Sequence, residues 1–429
     1  LTPAFLLTRQ WSDEQDGVRL DFWLTTVQGP LMVSIHRQQA LFFIRQADAQ
    51  TADTLIGKLR GVSIKPLQLK TFDEQAVSAV YFASQQQLYR SRDRLLQNGI
   101  ACYEADIRPT ERFLCERFIT ASVDIDADYS KGGLQNVRLQ PGNYTPNFEI
   151  MSLDIESDYE TDALFSIAFV TAGTNRVLMI GDGVDNDFIE YVKDETALLQ
   201  RWIEWVGRID PDILIGWNVI NFDLRLLQKK SQALGVPLSI GRGATQPVWR
   251  QSQAERNHYF VLIPGRVVLD GIDTLRSATY NFASFALESV ARELLGRGKL
   301  IHDKTHSDPL YKAKEIRRQF EQEKETLATY NLEDCQLVWE IFEKTELVGF
   351  SIERARLTGL EMDRAGGSVA AFDNLYLPRL HRKGYIAPNI GDYQGELSAP
   401  GGYVMDSTPG LQDSVLVLDY KSLYPSIIR

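Results

Sequence analysis

The chain has 429 residues, 44% hydrophobic and 24% charged, and its 57 Asp+Glu against 46 Lys+Arg leave a formal net charge of −11. That length suits about two to four domains with sizeable cores, and no apolar run is long enough to suggest a membrane span. The acidic balance speaks against a passive nucleic-acid coat, whose surface is basic, but not against an enzyme that holds metal ions in a carboxylate cluster.

The N-terminal Leu1 to Gln10 stretch lacks the basic-then-apolar layout of a signal peptide. Only Cys102, Cys115 and Cys335 occur, too few and too dispersed for a disulfide framework or a paired-thiolate zinc site, so a reducing cytosol is expected. The sequence begins without Met and stops at Arg429 within an apolar segment of helical character. It reads as a fragment of something longer.

Residues 1 to about 145 read as short strands with a few helices. Residues 18–26 alternate through Leu20, Phe22 and Leu24, and 31–35 form a second strand beyond a turn placed at Gly29-Pro30. Asn143-Tyr144-Thr145-Pro146 reads as a linker. Strands and helices then alternate. Residues 148–155 are predicted as a strand, with 164–172 and 176–180 as its neighbours. Thr196 is predicted to cap a helix with Leu198, Leu199, Trp202, Ile203 and Val206 at helical spacing. Asp210-Pro211-Asp212 breaks the chain before a short buried strand at 213–217. Asn221 is predicted to open a helix that ends at Gly235, ahead of Pro237. A strand at 267–269 and helices at 285–295 and 327–347 follow, and the charged stretch 303–325 is expected to be solvated surface. This order predicts an α/β domain on a mixed sheet.

Four carboxylates stand out. Asp154 and Glu156, two apart on a strand, project from one face while Met151, Leu153 and Ile155 take the other. Asp223 lies in the first turn of the helix opened by Asn221, where the helix dipole alone would favour an acid. Asp334 falls on the apolar stripe of its helix, one turn from Tyr330, with Leu327, Leu337, Val338, Ile341 and Phe342. A charged aspartate on a core-facing stripe costs several kcal/mol unless a cation or hydrogen bonds compensate. If the four acids converge, their hard oxygens select magnesium or manganese over zinc. A pair of such ions suits in-line displacement at phosphorus. The bland alternatives are a solvated strand end for the first pair, a first-turn acid for Asp223 and a hydrogen-bonded core aspartate for Asp334.

Three segments resemble the exonuclease motifs of proofreading 3′→5′ exonucleases on a ribonuclease H-like fold. They are Leu153-Asp154-Ile155-Glu156, then Gly216-Trp217-Asn218 with Asn221-Phe222-Asp223, then Tyr330-Asn331-Leu332-Glu333-Asp334. The run from Val415 to Arg429, with Asp419-Tyr420-Lys421-Ser422-Leu423-Tyr424-Pro425, resembles the first polymerase motif of the family B DNA polymerases. Gly401-Gly402-Tyr403-Val404 is similar to that family's segment before the palm, and Tyr103 to Ile107 with Arg112-Phe113-Leu114 has its N-terminal look. The resemblance covers essentially the whole chain and is nearest the family's bacterial branch.

The resemblance implies a β-rich α+β N-terminal domain at 1–145 and the exonuclease domain at 146–365. A segment at 366–387 would return to the N-terminal domain, and the start of a palm would occupy 388–429. It implies that Asp154, Glu156, Asp223 and Asp334 hold two magnesium or manganese ions, Asp223 partly through water. Tyr330, aided by a backbone carbonyl, would position the attacking water, and Asn218 and Phe222 would contact the substrate. Asp419, read as the end of an apolar strand, would be a polymerase metal ligand, and Tyr424 would exclude a ribose 2′-hydroxyl. The family's later palm motifs are absent from the sequence, so exonuclease without polymerisation is expected. Partners implied are DNA, as primer-template and single-stranded 3′ end, with deoxynucleoside triphosphates and a sliding clamp for the longer parent. The setting implied is the bacterial cytoplasm at the nucleoid, in replication and repair.

Residues 256–266 are carried over as a hairpin beside the exonuclease cleft. Arg90, Arg92 and Arg94 near Tyr81, Phe82 and Tyr89 read as an exposed helix face rather than a grip on a strand. His36, His258, His302, His306 and His381 have no ligand-like spacing. The competing functions are a free-standing exonuclease of the same fold on RNA or small nucleic acids, and a catalytically inactive nucleic-acid-binding module.

Overall fold

Alternating apolar residues build two sheets in the first third of the chain. A computed structural model describes residues 1–130, 133–252, 255–256, 258–300, 311–392 and 406–419. The elements are Thr2–Glu14 (β1), Gly17–Thr26 (β2), Gly29–Gln38 (β3), Ala40–Arg45 (β4), Ala49–Ile56 (α1), Ser63–Lys70 (β5), Ala76–Phe82 (β6), Gln85–Gln97 (α2), Pro109–Cys115 (α3), Ser122–Ser130 (β7) and Gly133–Pro141 (β8). Their sheets run β3-β2-β1-β7-β8 and β4-β6-β5. Phe22, Leu24, Phe42 and Phe82 fill the core between them, so Phe82 has no face to offer a ligand. The reversal after β2 lies at Val27-Gln28 rather than at Gly29-Pro30, because Thr26 pairs Gly29 and Thr25 pairs Pro30. Pro30 is tolerated there because β3 is an edge strand.

The next segment contains Ile150–Ser157 (β9), Leu164–Val170 (β10), Asn175–Ile180 (β11), Ile189–Val192 (β12), Glu195–Ile209 (α4), Ile213–Gly216 (β13), Arg225–Leu234 (α5), Val248–Gln251 (β14), Tyr259–Leu262 (β15), Val267–Asp270 (β16), Gly271–Ser277 (α6), Leu287–Leu295 (α7), Tyr311–Gln322 (α8), Lys324–Lys344 (α9), Leu347–Thr358 (α10) and Ser368–Arg382 (α11). Six strands form the expected mixed sheet in the order β12-β11-β10-β9-β13-β16. β10 is antiparallel to β9 and β11, whereas β13 is parallel to β9 and β16. Met151, Leu153 and Ile155 pack with Leu198, Leu199 and Trp202 of α4 on one face. The other face is covered by α9.

Several element ends differ from the sequence reading. Asp194, not Thr196, caps α4 by accepting a hydrogen bond from the Ala197 amide at 2.8 Å, since the helix starts one residue before Thr196. Asn221 opens no helix: it lies inside a π-helical turn, Ile220–Leu224, and its side chain accepts from the Tyr259 amide at 2.7 Å. The helix read as 327–347 stops at Lys344, because Glu346 takes a left-handed backbone conformation with φ 51° before α10 begins. Within the stretch read as solvated surface, residues 311–322 form α8, while 301–310 lie outside the described residues. The hairpin is β14–β15 rather than 256–266, and Arg266 is buried against Asp210 at 2.8 Å.

Leu1–Ile390 form one unit and Gly391–Arg429 another. In the second, residues 415–419 are exposed and form no strand, so Asp419 does not end one. A strand needs a ladder partner, and the described residues supply none. Gly401 to Val404 and Tyr424 lie outside the described residues. No helix among those described is long and apolar enough to cross a membrane.

After α10 the chain returns to the N-terminal strands. Ile386 is buried with Phe43, Val77 and Ala79, and its amide donates to the Lys70 carbonyl at 2.9 Å. His381 of α11 sits between Glu116 at 2.5 Å and Glu104 at 2.8 Å. Burial disfavours the imidazolium, but the two glutamates outweigh it and raise its pKa to about 9. The folded pKa exceeds the unfolded one, so this stabilisation is complete below pH about 6.5 and is lost as pH rises through 9. At pH 7 it is worth roughly 2 kcal/mol. Urea denaturation from pH 6 to 10 should therefore show stability falling at the alkaline end, and His381→Gln should remove that fall. An equally steep fall in the variant would place its origin elsewhere.

Candidate active site

β9 outruns its parallel neighbour. β13 pairs with β9 only at Ile150, Met151 and Ser152 and then leaves the sheet after Gly216. A Cβ at Gly216 would lie 2.9 Å from the Leu153 carbonyl oxygen and 2.6 Å from the Val219 Cβ, so only glycine lets the chain turn away here. The departing segment passes through Asn218, at φ 57°, into the π-helical turn. This opens a crevice where strand neighbours diverge, the usual place for a ligand in an open α/β sheet. The Ile155 amide donates to the Asp223 carboxylate at 3.0 Å, so Asp223 completes the hydrogen bonding of β9 with a side chain.

Asp154 and Glu156 occupy the face of β9 turned toward α9, as their two-residue spacing requires. α9 brings Tyr330 and Asp334, each only 1% exposed. Carboxylate oxygens of Asp154, Glu156 and Asp334 all lie within 4.8 Å of one another. Asp223 stands outside this trio, with its carboxylate engaged by the strand. Asn331, on the same helix, accepts from the Ser166 hydroxyl and donates to Asp154, both at 2.7 Å. The Ser152 hydroxyl donates to the Cys335 carbonyl at 2.9 Å. These bonds fix the register of α9 against β9 and β10.

The trio is electrostatically expensive. Burial, then repulsion from Asp334, raises the Asp154 pKa to about 7. Burial, then Asp154, raises both Glu156 and Asp223 well above the usual carboxylate range. Burial and Asp334 likewise push the Tyr330 phenol upward, so it stays protonated. Lys299 is the cation that answers this charge. Its ammonium pairs with one oxygen of Asp334 and lies 3.4 Å from the Tyr330 hydroxyl. Burial works against that ammonium, but Asp334 and Asp154 prevail and raise its pKa to about 12.

The other Asp334 oxygen, Oδ1, is buried without a hydrogen-bond partner. An orphaned carboxylate oxygen beside two more carboxylates fits a divalent cation with a preference for hard oxygen donors. The site thus brings together Asp154, Glu156, Asp334 and Tyr330, with Asp223 adjoining through Ile155. Asn218 is exposed, and Phe222 is 48% exposed on the π-helical turn, its ring unburied. Away from this site, Arg92 stacks over Tyr89 and pairs with Asp93 on α2.

Sequence reasoning missed Lys299. A lysine in a Gly-Arg-Gly-Lys run carries no periodic signal. Only the need of clustered acids for a counter-charge pointed to such a residue, without saying where it lies.

Comparison with known proteins agrees with this architecture. The family model described as "DNA polymerase family B, exonuclease domain" matches residues 99–290, and "DNA polymerase family B" matches 365–429. Models for the N-terminal and insertion domains of DNA polymerase II match 4–39 and 40–100. DNA polymerase II of Escherichia coli (strain K12) is 46% identical over 432 residues, covering 99% of this chain and 54% of that protein. A DNA polymerase of Desulfurococcus sp. (strain Tok) is 28% identical over 364 residues, covering 81% of this chain and 43% of that one. The family B DNA polymerase from Pyrobaculum calidifontis shares the fold, with a TM-score of 0.71 at 19% identity over 90% of this chain and 51% of that chain. The chain thus spans about half the length of the relatives it matches. It belongs to DNA polymerase family B and carries that family's exonuclease domain.

Proposed function

We propose that this chain removes nucleotides from a DNA 3′ end, releasing 5′-monophosphates, as the proofreading part of a longer DNA polymerase. The observation that carries the reading is the trio of carboxylates from β9 and α9 within 4.8 Å, with a buried phenol one turn from Asp334. Asp154, Glu156 and Asp334 would hold magnesium or manganese, two ions in all, with Asp223 contributing through water. When bound, such ions supply a Lewis acid that yields hydroxide and a counter-charge for the leaving oxygen. The chain's own residues do the positioning. Tyr330 holds the attacking water through its hydroxyl. Asn331 fixes Asp154, Phe222 stacks on the terminal base, and Asn218 contacts the strand.

The proposed divisions are 1–145, 146–365, 366–387 and 388–429. Asp419 and Tyr424 are assigned to the polymerase site of the whole protein. Primer extension with deoxynucleoside triphosphates, docking to a sliding clamp and residence at the nucleoid in the bacterial cytoplasm are likewise proposed for that whole protein.

A 5′-labelled single-stranded DNA oligonucleotide incubated with the chain and magnesium should give a ladder shortening from its 3′ end. Chelator and the Asp154→Ala/Glu156→Ala pair should each abolish it, and unchanged trimming by the pair would mean the site lies elsewhere. Tyr330→Phe should slow trimming about 10- to 100-fold, as loss of a hydrogen bond to a charged reacting centre does, with KM nearly unchanged.

Metal affinity should also depend on pH. The Asp154 and Glu156 protons must both leave before a cation binds, so apparent manganese affinity should rise steeply with pH up to and through about pH 7. The stability sign is opposite. A carboxyl with a raised folded pKa stabilises the metal-free fold at low pH, and that contribution is lost as pH rises through about 7. In chelator at pH 8, Asp154→Asn should therefore raise the melting temperature, and in separate chelator-free samples it should remove the bound-manganese signal seen with the wild type in electron paramagnetic resonance. A lower melting temperature would contradict the repulsion on which this rests.

A further inference from the structure

Helix α8 is not explained by the three acidic segments. It is docked on the sheet by Ile316, which is buried with Phe165, Val170 and Tyr330, and by Phe320, which stacks on Phe165 at 4.0 Å between ring centroids. A second attachment is ionic. Arg317 reaches Asp158 with two bonds of 2.6 and 2.9 Å and Glu160 with one of 2.7 Å. Asp158 directly follows β9, two residues beyond Glu156. The helix is therefore pinned at the mouth of the acidic crevice.

Its basic side chains are used differently. Arg318 is taken by Glu315 and Glu323. Arg317 is taken by the β9 end. Lys312, one turn before Ile316 on the inward stripe, places its ammonium 5.6 Å from the centre of the Tyr330 ring. Among the described residues it has no hydrogen bond and no ion pair. Against the burial that raises Asp154 and Glu156, its charge draws both toward the ionised form. Lys299 is already committed to Asp334, which leaves Lys312 as an uncommitted cation beside the same tyrosine.

An ammonium that feels Asp154 and Glu156 yet is bonded to neither is placed for an anion that arrives with the ligand. We propose that Lys312 binds a phosphate oxygen of the nucleic-acid backbone within the last three linkages of the 3′ end, and that α8 is the strap that holds it there. The proposal rests on the exonuclease reading and adds a substrate-binding residue to it. The proposed metal ions would answer the charge of the carboxylates and of the reacting phosphate, so a further backbone phosphate drawn in beside them needs a cation of its own. One lysine contact with a single strand contributes about 0.7 to the slope of log affinity against log salt.

The test uses the whole chain and a 5′-fluorescein single-stranded deoxythymidine oligonucleotide. Lys312→Ala and Lys312→Met, the latter keeping an unbranched stem, should each raise KM for trimming about tenfold. They should change kcat less than about threefold and lower the salt slope by about 0.7. Lys312→Arg should restore KM to within threefold of wild type, and Arg318→Gln, on the same helix but paired elsewhere, should change neither KM nor slope. Oligonucleotides with one neutral methylphosphonate at each of the last three linkages locate the contact. At one linkage the wild type should lose affinity and Lys312→Ala should lose nothing more.

Unchanged KM and salt slope in both charge-removing variants would overturn the proposal. So would an equal loss at every linkage. If the wild-type chain binds the oligonucleotide but never trims it, the exonuclease reading falls, while the slope and linkage comparisons, made on binding, still decide Lys312.

Discussion

Three carboxylates held within 4.8 Å of one another is the constraint around which this part of the molecule is arranged. Left alone, such a cluster would expel itself into solvent or take up protons. The fold prevents the first by anchoring each acid to a rigid element. Asp154 and Glu156 ride on a strand bonded on both sides at its base, and Asp334 on a 21-residue helix. Asn331 and Ser152 then stitch that helix to the strand with hydrogen bonds that no apolar contact could replace in direction. The cost remains in the charge, and the surrounding lysines answer it.

Much of this was legible in the chain. Asp154 and Glu156 sit two apart with apolar residues between and before them, and a strand allows only one outcome for that pattern. Asp334 was visible because a charge on an apolar helical stripe demands an explanation. The mixed sheet followed from the alternation of strands and helices. What the pattern could not carry was convergence, which depends on how far β13 accompanies β9. That length is set by a close approach at Gly216 which hydropathy does not record.

The misreadings share a cause. Thr196 and Asn221 are residue types that cap helices, but capping needs a non-helical backbone at the right position, and tertiary contacts chose otherwise. Asp194 holds that backbone for α4, and the Asn221 side chain is recruited by the hairpin strand β15. The stretch 303–325 looked like solvent-facing charge because its apolar residues are sparse. Two of them, Ile316 and Phe320, suffice to seat a helix once an aromatic partner waits on the sheet. Residues 415–419 have strand composition without a partner among the described residues, and composition alone makes no ladder.

Gly216 has a consequence for how the site tolerates change. The opening between β9 and β13 is imposed by backbone packing against Leu153, not by repulsion among the acids. Amidating the three clustered acids would remove their charge without touching the packing at Gly216. Shape and reactivity are thus separable inheritances here: a descendant that loses its acids keeps a ready-made socket for a strand end. A descendant that replaces this one glycine risks losing the socket while every acid is still present.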